Sequence, residues 1–137
     1  MRKSVWVIDD DEIYQMIIKK LIQKSGVFEE RLFFKCANQV FSELEKSDVF
    51  LPDVILLDIN MPLMDGWQFI EKLRSAISNI PEKTKIYIVS SSIAYSDKER
   101  AELIPEITGF LSKPLTVQML KEIGETVIEK TRCRDQA

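Results

Sequence analysis

The sequence predicts an α/β fold in which helices cover a parallel sheet of five strands. Short apolar runs alternate along the chain with longer segments of helical period, which is typical of repeated βα units. The apolar runs are continuous rather than alternating, as expected for strands that are buried on both faces of a sheet. A length of 137 residues is sufficient for one such domain with its own core.

The first βα unit consists of a strand at residues 5–8 and a helix at residues 12–24. Three aspartates, residues 9–11, end the strand abruptly. In the helix, apolar residues recur at every fourth position in two neighbouring rows, one starting at Ile13 and the other at Tyr14. Ser25 and Gly26 predict the end of this helix, because glycine readily adopts the left-handed conformation that ends helices.

The second and third units follow the same order of strand and helix. A second strand is predicted at residues 32–36, and Asn38 is the candidate cap of the short helix that comes after it. The third strand, residues 54–57, is the most apolar and β-prone run in the sequence, so we place it at the centre of the sheet. Turn-forming residues at 60–62 and 65–66 lead into a third helix.

The last two units have a shorter strand and a longer final helix. The fourth strand is predicted at residues 86–89, the fourth helix from 97 to about 107, and the fifth strand at 109–111. Leu120, Ile123 and Val127 form the apolar stripe of the final helix. We expect one domain over residues 1–137, with a core at about 3–131 and a short C-terminal tail at 132–137.

Reactive side chains follow four of the five predicted strands. Asp9 and Asp10 follow the first strand, Asp58 the third and Ser90 the fourth, while Lys113 lies two residues beyond the fifth. Ligands of open parallel sheets bind beyond the carboxyl ends of the strands, so we expect these side chains to share one site. Carboxylates held together repel one another unless a cation lies among them. The oxygen ligands, and a sequence without histidine, favour Mg²⁺ over zinc.

These groups are the components of an aspartyl-phosphate site. Asp58 is the candidate nucleophile, and Mg²⁺ and Lys113 would neutralise the charge on the phosphoryl oxygens. Ser90 would donate a hydrogen bond to one of those oxygens. The predicted metal ligands are Asp58, Asp10 directly, Asp9 through a water molecule, and the backbone carbonyl of Asn60.

Four motifs resemble those of a known family: VWVIDDDE at the first strand, VILLDINMPLMDG at the third, IYIVSSS at the fourth and GFLSKP at the fifth. With them, nearly the whole chain resembles the receiver domains of two-component response regulators, in particular the single-domain kind related to the chemotaxis regulator. The resemblance implies a flavodoxin-like fold with strand order 2-1-3-4-5. It also implies phosphorylation of Asp58, a switch through Ser90 and Phe110, and a cis peptide bond before Pro114.

The resemblance also implies partners. A sensor histidine kinase or a histidine phosphotransfer protein would supply the phosphoryl group from its phosphohistidine. Only the 24 residues from 114 to 137 follow Lys113, which leaves no room for an output domain, so we expect a separate effector protein or a relay role. A receiver cut from a larger protein is the remaining alternative. We expect no enzymatic activity beyond the protein's own phosphorylation and dephosphorylation. We expect a monomer or a phosphorylation-dependent dimer. Asn60 and Ser92 each follow a site residue by two positions, and we hypothesise that they tune the lifetime of the phosphoryl group.

Composition excludes several other classes of function. A chain without histidine cannot hold a Ser-His-Asp triad, a histidine-ligated zinc or a phosphohistidine of its own. Two cysteines argue against a disulfide framework. A net charge of −3 without a long basic stripe argues against direct binding to nucleic acid. No apolar run approaches the length of a membrane span, so we expect a cytoplasmic protein without membrane insertion.

Two alternative functions fit parts of the pattern. Phosphatases of the haloacid dehalogenase type also use an aspartyl nucleophile and Mg²⁺, but they need a second aspartate where this chain has Asn60. Turnover of small phosphoesters would indicate that alternative. A receiver-like scaffold would bind partners without phosphorylation, although such a protein is not expected to keep Asp10, Asp58, Ser90 and Lys113 together. Binding that does not depend on phosphorylation would indicate the scaffold.

Overall fold

The computed structural model describes residues 3–46, 51–77, 80, 84–91 and 95–136 of the chain. In this part, five strands alternate with five helices of at least eight residues. The elements in chain order are β1 (Ser4–Ile8), α1 (Glu12–Ser25), β2 (Glu30–Phe34), α2 (Ala37–Leu44), β3 (Val54–Asp58), α3 (Gly66–Ala76), β4 (Lys85–Ser90), α4 (Tyr95–Glu102), β5 (Ile107–Ser112) and α5 (Val117–Gln136).

The five strands form one parallel sheet in the order β2-β1-β3-β4-β5. The predicted fold class and strand order are therefore confirmed. β3 lies at the centre, as its composition predicts, and all five of its residues are buried. The strand order reverses between β1 and β3, which are neighbours in the sheet, so the carboxyl ends of these two strands open onto one crevice.

The core has two halves, one on each face of the sheet. Successive residues of a strand point to opposite faces, so Trp6 and Ile8 of β1 join one apolar cluster while Val5 and Val7 join the other. This explains why the strands read as continuous apolar runs. Helix α1 packs on the second face beside α5.

Only one of the two apolar rows of α1 faces the core. Ile18 and Ile22 are fully buried, whereas Ile13 and Ile17 are 72% and 48% exposed. A helix that lies on a sheet and beside one other helix buries a single stripe, so the second row remains at the surface. The helix starts at the cap Asp11, whose side chain accepts hydrogen bonds from two backbone N–H groups. It ends at Gly26, which has a φ of 68°.

The start of α2 and the end of β2 differ from the sequence prediction. β2 ends at Phe34 rather than at residue 36, because the N–H of Lys35 donates to the side chain of Gln39 and the chain turns into α2. The cap of α2 is Cys36 rather than Asn38. This local hydrogen bond lets α2 start two residues before the position that cap propensity predicts.

Two further boundaries differ near the C-terminus. Helix α4 ends at Glu102 rather than near residue 107, because Ile107 pairs with Ile86 as the first residue of β5. Sheet pairing therefore overrides the helical period of this segment. Helix α5 continues to Gln136, so residues 132–136, predicted as a tail, are helical. No glycine or proline interrupts the sequence after Gly124, so nothing in it stops the helix earlier.

Among the described residues, no helix is both long enough and apolar enough to cross a membrane.

Gly66 fixes the distance between α3 and the end of β3. A Cβ atom at this position would lie 2.8 Å from Ile59 Cα and 3.0 Å from the Asp58 carbonyl oxygen. The Gly66 N–H donates to the carbonyl of Ile59 at 3.1 Å. The third neighbour, Ile59 Cγ2, also lies at 3.0 Å, but the other two are backbone atoms that cannot rotate aside, so a side chain at Gly66 forces the start of α3 away from Asp58.

We expect Gly66→Ala to lower the free energy of unfolding by about 2 kcal/mol, because overpacking against backbone is relieved only by moving α3. Urea unfolding followed by circular dichroism measures the change. Ser75→Ala, on the exposed side of the same helix, is the matched control and should change the free energy by less than about 0.5 kcal/mol. Equal stability of Gly66→Ala and the wild type would contradict this packing argument.

Candidate functional site

Three carboxylates meet at the carboxyl edge of the sheet. Asp9 and Asp10 follow β1, and Asp58 ends β3, which pairs directly with β1. One carboxylate oxygen from each lies within 4.8 Å of the others. Asp9 and Asp58 are buried, whereas Asp10 is exposed to solvent. The cluster therefore has two interior carboxylates and one that opens to the outside.

Backbone N–H groups hold the two buried carboxylates. Asp9 Oδ1 accepts a hydrogen bond of 2.9 Å from the N–H of Asp11. Asp58 Oδ1 accepts one of 3.2 Å from the N–H of Asn60. In each case the donor lies two residues beyond the carboxylate, so the turn that ends the strand also orients its last side chain. These bonds leave one oxygen of each carboxylate for other partners.

Gln15 holds the backbone beside the cluster in place, a role that the sequence does not predict. Its side chain is buried, and its Nε2 donates to the backbone carbonyls of Asp9 at 2.9 Å and of Phe34 at 3.0 Å. The amide thereby ties the ends of β1 and β2 to α1. A single glutamine in a helix carries no signal in the sequence that distinguishes it from a surface residue.

Lys113 reaches the cluster from β5. Its Nζ lies 2.7 Å from Asp9 Oδ2, and its side chain is 15% exposed. Its backbone N–H donates to the carbonyl of Ser90 at 2.9 Å. The peptide bond between Lys113 and Pro114 is cis. Side chain and backbone of Lys113 thus connect β5 to β1 and to β4.

The other predicted site residues differ in their burial and in their place in the fold. Ser90 is the last residue of β4 and is completely buried. Asn60 is exposed just beyond Asp58. Phe110 is half-buried on β5, opposite Ile88 of β4. Ser92 lies outside the described residues.

The three carboxylates of the cluster carry the same charge and repel one another. The pKa of Asp58 is raised from its usual 3.8 to about 6. Burial is the main cause, and the charges of Asp9 and Asp10 add to it, while the Asn60 N–H and the Lys113 ammonium lower the pKa. Burial, and then the charges of Asp9 and Asp58, also raise the pKa of the Tyr14 phenol. One ammonium group is therefore too little positive charge for three carboxylates.

This arrangement of oxygen donors fits a hard divalent cation. The three converging carboxylates lie within the span of a single ion, and one of them opens to solvent, which leaves room for water ligands. No thiol or imidazole is present among the described groups that converge here, so the site favours Mg²⁺ over zinc. Bound Mg²⁺ would also offset the repulsion that raises the pKa of Asp58.

The sequence of this chain is similar to those of known proteins. The family model of the response regulator receiver domain matches residues 5–125. The chain is 32% identical over 100 residues to protein-glutamate methylesterase/protein-glutamine glutaminase 3 of Leptospira interrogans, an alignment that covers 73% of this chain and 26% of that protein. The chain thus spans about a quarter of the length of the curated relatives it matches first.

Two solved structures share the whole fold. A two-component response regulator from Cytophaga hutchinsonii is similar with a TM-score of 0.86 and 28% identity, covering 93% of this chain and 98% of that one. A response regulator receiver protein from Dyadobacter fermentans is similar with a TM-score of 0.79 and 28% identity, covering 92% of this chain and 98% of that one.

We expect the metal-free protein to lose stability as pH rises from about 4 to 6, because the folded state holds the Asp58 proton more tightly than the unfolded state over this window. Asp58→Asn removes this cost. The variant should therefore be more stable than the wild type by about 1–2 kcal/mol at pH 7.5 and equally stable near pH 4. Urea unfolding in EDTA at several pH values measures the difference.

Glu99→Gln, which removes an exposed carboxylate on α4, is the control and should track the wild type at every pH. If the difference in the free energy of unfolding between Asp58→Asn and the wild type stays constant from pH 4 to pH 7.5, ionisation of Asp58 is not its cause. Adding Mg²⁺ should narrow the difference at pH 7.5, since binding to the folded wild type stabilises it by mass action.

Proposed function

The chain belongs to the response regulator receiver domain family, a signalling domain of two-component systems, and we propose that it is a switch in which Asp58 accepts a phosphoryl group. The observation that carries the proposal is the convergence of Asp9, Asp10 and Lys113 around Asp58 at the open edge of the sheet. A carboxylate nucleophile with positive charge beside it is what an aspartyl-phosphate site requires.

The proposed reaction transfers a phosphoryl group from a phosphohistidine to Asp58. The free carboxylate oxygen of Asp58 attacks phosphorus, so that a new O–P bond forms while the N–P bond of the donor breaks. The imidazole nitrogen keeps the electron pair of the broken bond, and a proton on the ring or from water leaves the ring neutral. No redox partner is needed. The pKa of Asp58 matters here, because only the ionised carboxylate is a nucleophile.

The surrounding groups stabilise the charge on the transferred group. Lys113 lies in the acidic cluster with its Nζ 2.7 Å from Asp9 Oδ2, and its charge lowers the pKa of Asp58. Its ammonium would neutralise an oxygen of a phosphoryl group on Asp58. Ser90, at the end of the neighbouring strand, would donate its hydroxyl to a phosphoryl oxygen. Mg²⁺, held by Asp9, Asp10, Asp58 and the carbonyl of Asn60, would supply further positive charge at these oxygens. Positioning and charge provide most of the catalysis.

The same site would remove the group by hydrolysis. Water attacks phosphorus and the carboxylate of Asp58 leaves with the electron pair of the O–P bond. The exposed side chain of Asn60, next to Asp58, supports its proposed role in tuning this rate. Ser92 retains the same proposed role. The protein would therefore catalyse only its own phosphorylation and dephosphorylation.

Phosphorylation would change the face formed by α4 and β5. A groove of about 250 Å³ lies between these elements, with Ala101, Ile107 and Phe110 among its lining residues. In this proposal Ser90 would move toward the phosphoryl group, and the half-buried ring of Phe110 would then move inward. We propose that a separate effector protein binds this changed face. The chain that the effector binds would be a monomer or a phosphorylation-dependent dimer.

The donor would dock beside the site. A protein that brings its phosphohistidine to Asp58 also covers the adjoining start of α1, where Ile13, Met16 and Ile17 are 72%, 63% and 48% exposed. Contiguous exposed apolar side chains of this kind are typical of protein interfaces. The occupant that this face supports is the domain that carries the phosphohistidine of a sensor kinase or a histidine phosphotransfer protein.

We expect incubation with acetyl phosphate and Mg²⁺ to add one phosphoryl group at Asp58, detected by intact-mass and peptide mapping and removed by hydroxylamine. Asp58→Asn should gain nothing, and Lys113→Met should react roughly 100-fold more slowly because it loses a charge that stabilises the transition state. Circular dichroism confirms that each variant is folded. No Mg²⁺-dependent gain in the folded wild type would overturn the proposal in favour of the scaffold.

The test uses a histidine phosphotransfer protein that phosphorylates the wild type. We expect Ile17→Asp to lower the rate of phosphotransfer from it by at least about tenfold, because the substitution places a charge in the docking face. Its reaction with acetyl phosphate should stay at the wild-type rate. Gln23→Asp, an exposed change of similar charge farther along α1, is the control. Equal phosphotransfer to Ile17→Asp and the wild type would exclude this face as the docking site.

A further inference from the structure

Lys113 contacts an aromatic ring as well as a carboxylate. Its Nζ lies 4.0 Å from the centroid of the Tyr14 ring and 2.7 Å from Asp9 Oδ2. Tyr14 lies in the first turn of α1, where its backbone N–H donates to the capping side chain of Asp11. The ring is thus anchored by the same helix start that follows the acidic pair.

We propose that Tyr14 is a positioning residue for Lys113, whose ammonium group its ring holds in the orientation needed to meet a phosphoryl group on Asp58. This inference rests on the proposed phosphoacceptor function and adds a residue to it. The ring does not touch the reacting atoms. It acts through Lys113.

The geometry of an ammonium group supports this role. It has three N–H donors, of which one is directed at Asp9. The electron-rich face of the ring attracts a second side of the cation without providing a competing oxygen acceptor. The third donor is left for an oxygen bound at Asp58, so two contacts together orient the nitrogen. Lysine has a long flexible stem, and a single ion pair leaves that stem free to swing.

The ring matters most when the ion pair weakens. Asp9 is also a candidate metal ligand, and a carboxylate that binds a cation attracts an ammonium group less strongly. The contact with Tyr14 does not depend on the charge of Asp9. It therefore keeps Lys113 inside the site in the state in which phosphorylation takes place.

The hydroxyl group of Tyr14 has no part in this role. It is buried, and no hydrogen-bond partner for it lies within the described part of the chain. Tyr14→Phe keeps the ring and removes only this hydroxyl, whereas Tyr14→Leu removes the ring. The pair of variants separates the contact with Lys113 from every effect of the hydroxyl.

The test measures the rate constant for phosphorylation by acetyl phosphate in Mg²⁺. We expect Tyr14→Leu to slow it by about 3- to 30-fold, the range that a desolvated cation–π contact corresponds to. Tyr14→Phe should stay within about twofold of the wild type. Phe33→Leu is the matched control, because it removes another lysine–aromatic contact of α1, in which Lys19 Nζ lies 4.9 Å from the ring centroid, away from the site. It should leave the rate unchanged.

A double-mutant cycle shows whether Tyr14 acts through Lys113. In a Lys113→Met background, Tyr14→Leu should cause no further loss of rate, since the cation that the ring positions is gone. An independent loss in that background would overturn the proposal, because it would show a general structural effect. A loss in Tyr14→Phe equal to that in Tyr14→Leu would also overturn it by assigning the effect to the hydroxyl.

A readout that needs neither Mg²⁺ nor reaction comes from nuclear magnetic resonance of the metal-free protein. Lys113 Nζ lies 4.0 Å from the ring centroid, so we expect the protons of the adjacent ε-carbon to be shifted upfield in the wild type and in Tyr14→Phe, and to lose that shift in Tyr14→Leu. Absence of phosphorylation in the wild type would remove the proposed function and this role with it. Normal phosphorylation of the wild type with an unchanged rate in Tyr14→Leu would overturn the role of Tyr14 alone.

Discussion

Two buried carboxylates, Asp9 and Asp58, face each other at one edge of the sheet, and the repulsion between them has to be offset by positive charge. Sheet topology creates this conflict, because β1 and β3 are neighbours whose carboxyl ends open on the same side. The turns after both strands then orient the carboxylates instead of separating them. A cation bound among these carboxylates would relieve the repulsion and thereby stabilise the folded chain.

Lys113 is the one described cation that enters this cluster, and it connects three strands at once. Its side chain pairs with Asp9 after β1, its backbone bonds to Ser90 at the end of β4, and it directly follows β5. In the proposed switch, a change in charge at Asp58 would act through these contacts on β5, which lines the groove beside α4. The contacts of Lys113 are the physical connection that this proposal uses.

The boundaries that the sequence misplaced are set by individual hydrogen bonds and by sheet pairing, which helical period and cap propensity do not encode. Asn38 has the right chemistry for a cap, yet Cys36 takes the position because Gln39 binds the backbone at Lys35. The fourth helix ends early because Ile107 joins the sheet. The apolar row that includes Ile13 and Ile17 is indistinguishable in sequence from the row that is buried, and only the position of α5 beside α1 decides between them.

The sequence by itself determined the fold class, the strand order through its resemblance, and the convergence of Asp9, Asp10, Asp58 and Lys113. The fold class and the convergence follow from periodicity and from the rule that parallel strands present their carboxyl ends together, whereas the strand order follows from the resemblance alone. Only the tertiary structure revealed the Gln15 support, the ring of Tyr14 against Lys113 and the clearance at Gly66. Such contacts depend on the exact placement of side chains and turns after the strands and helices have packed, and no periodicity encodes them.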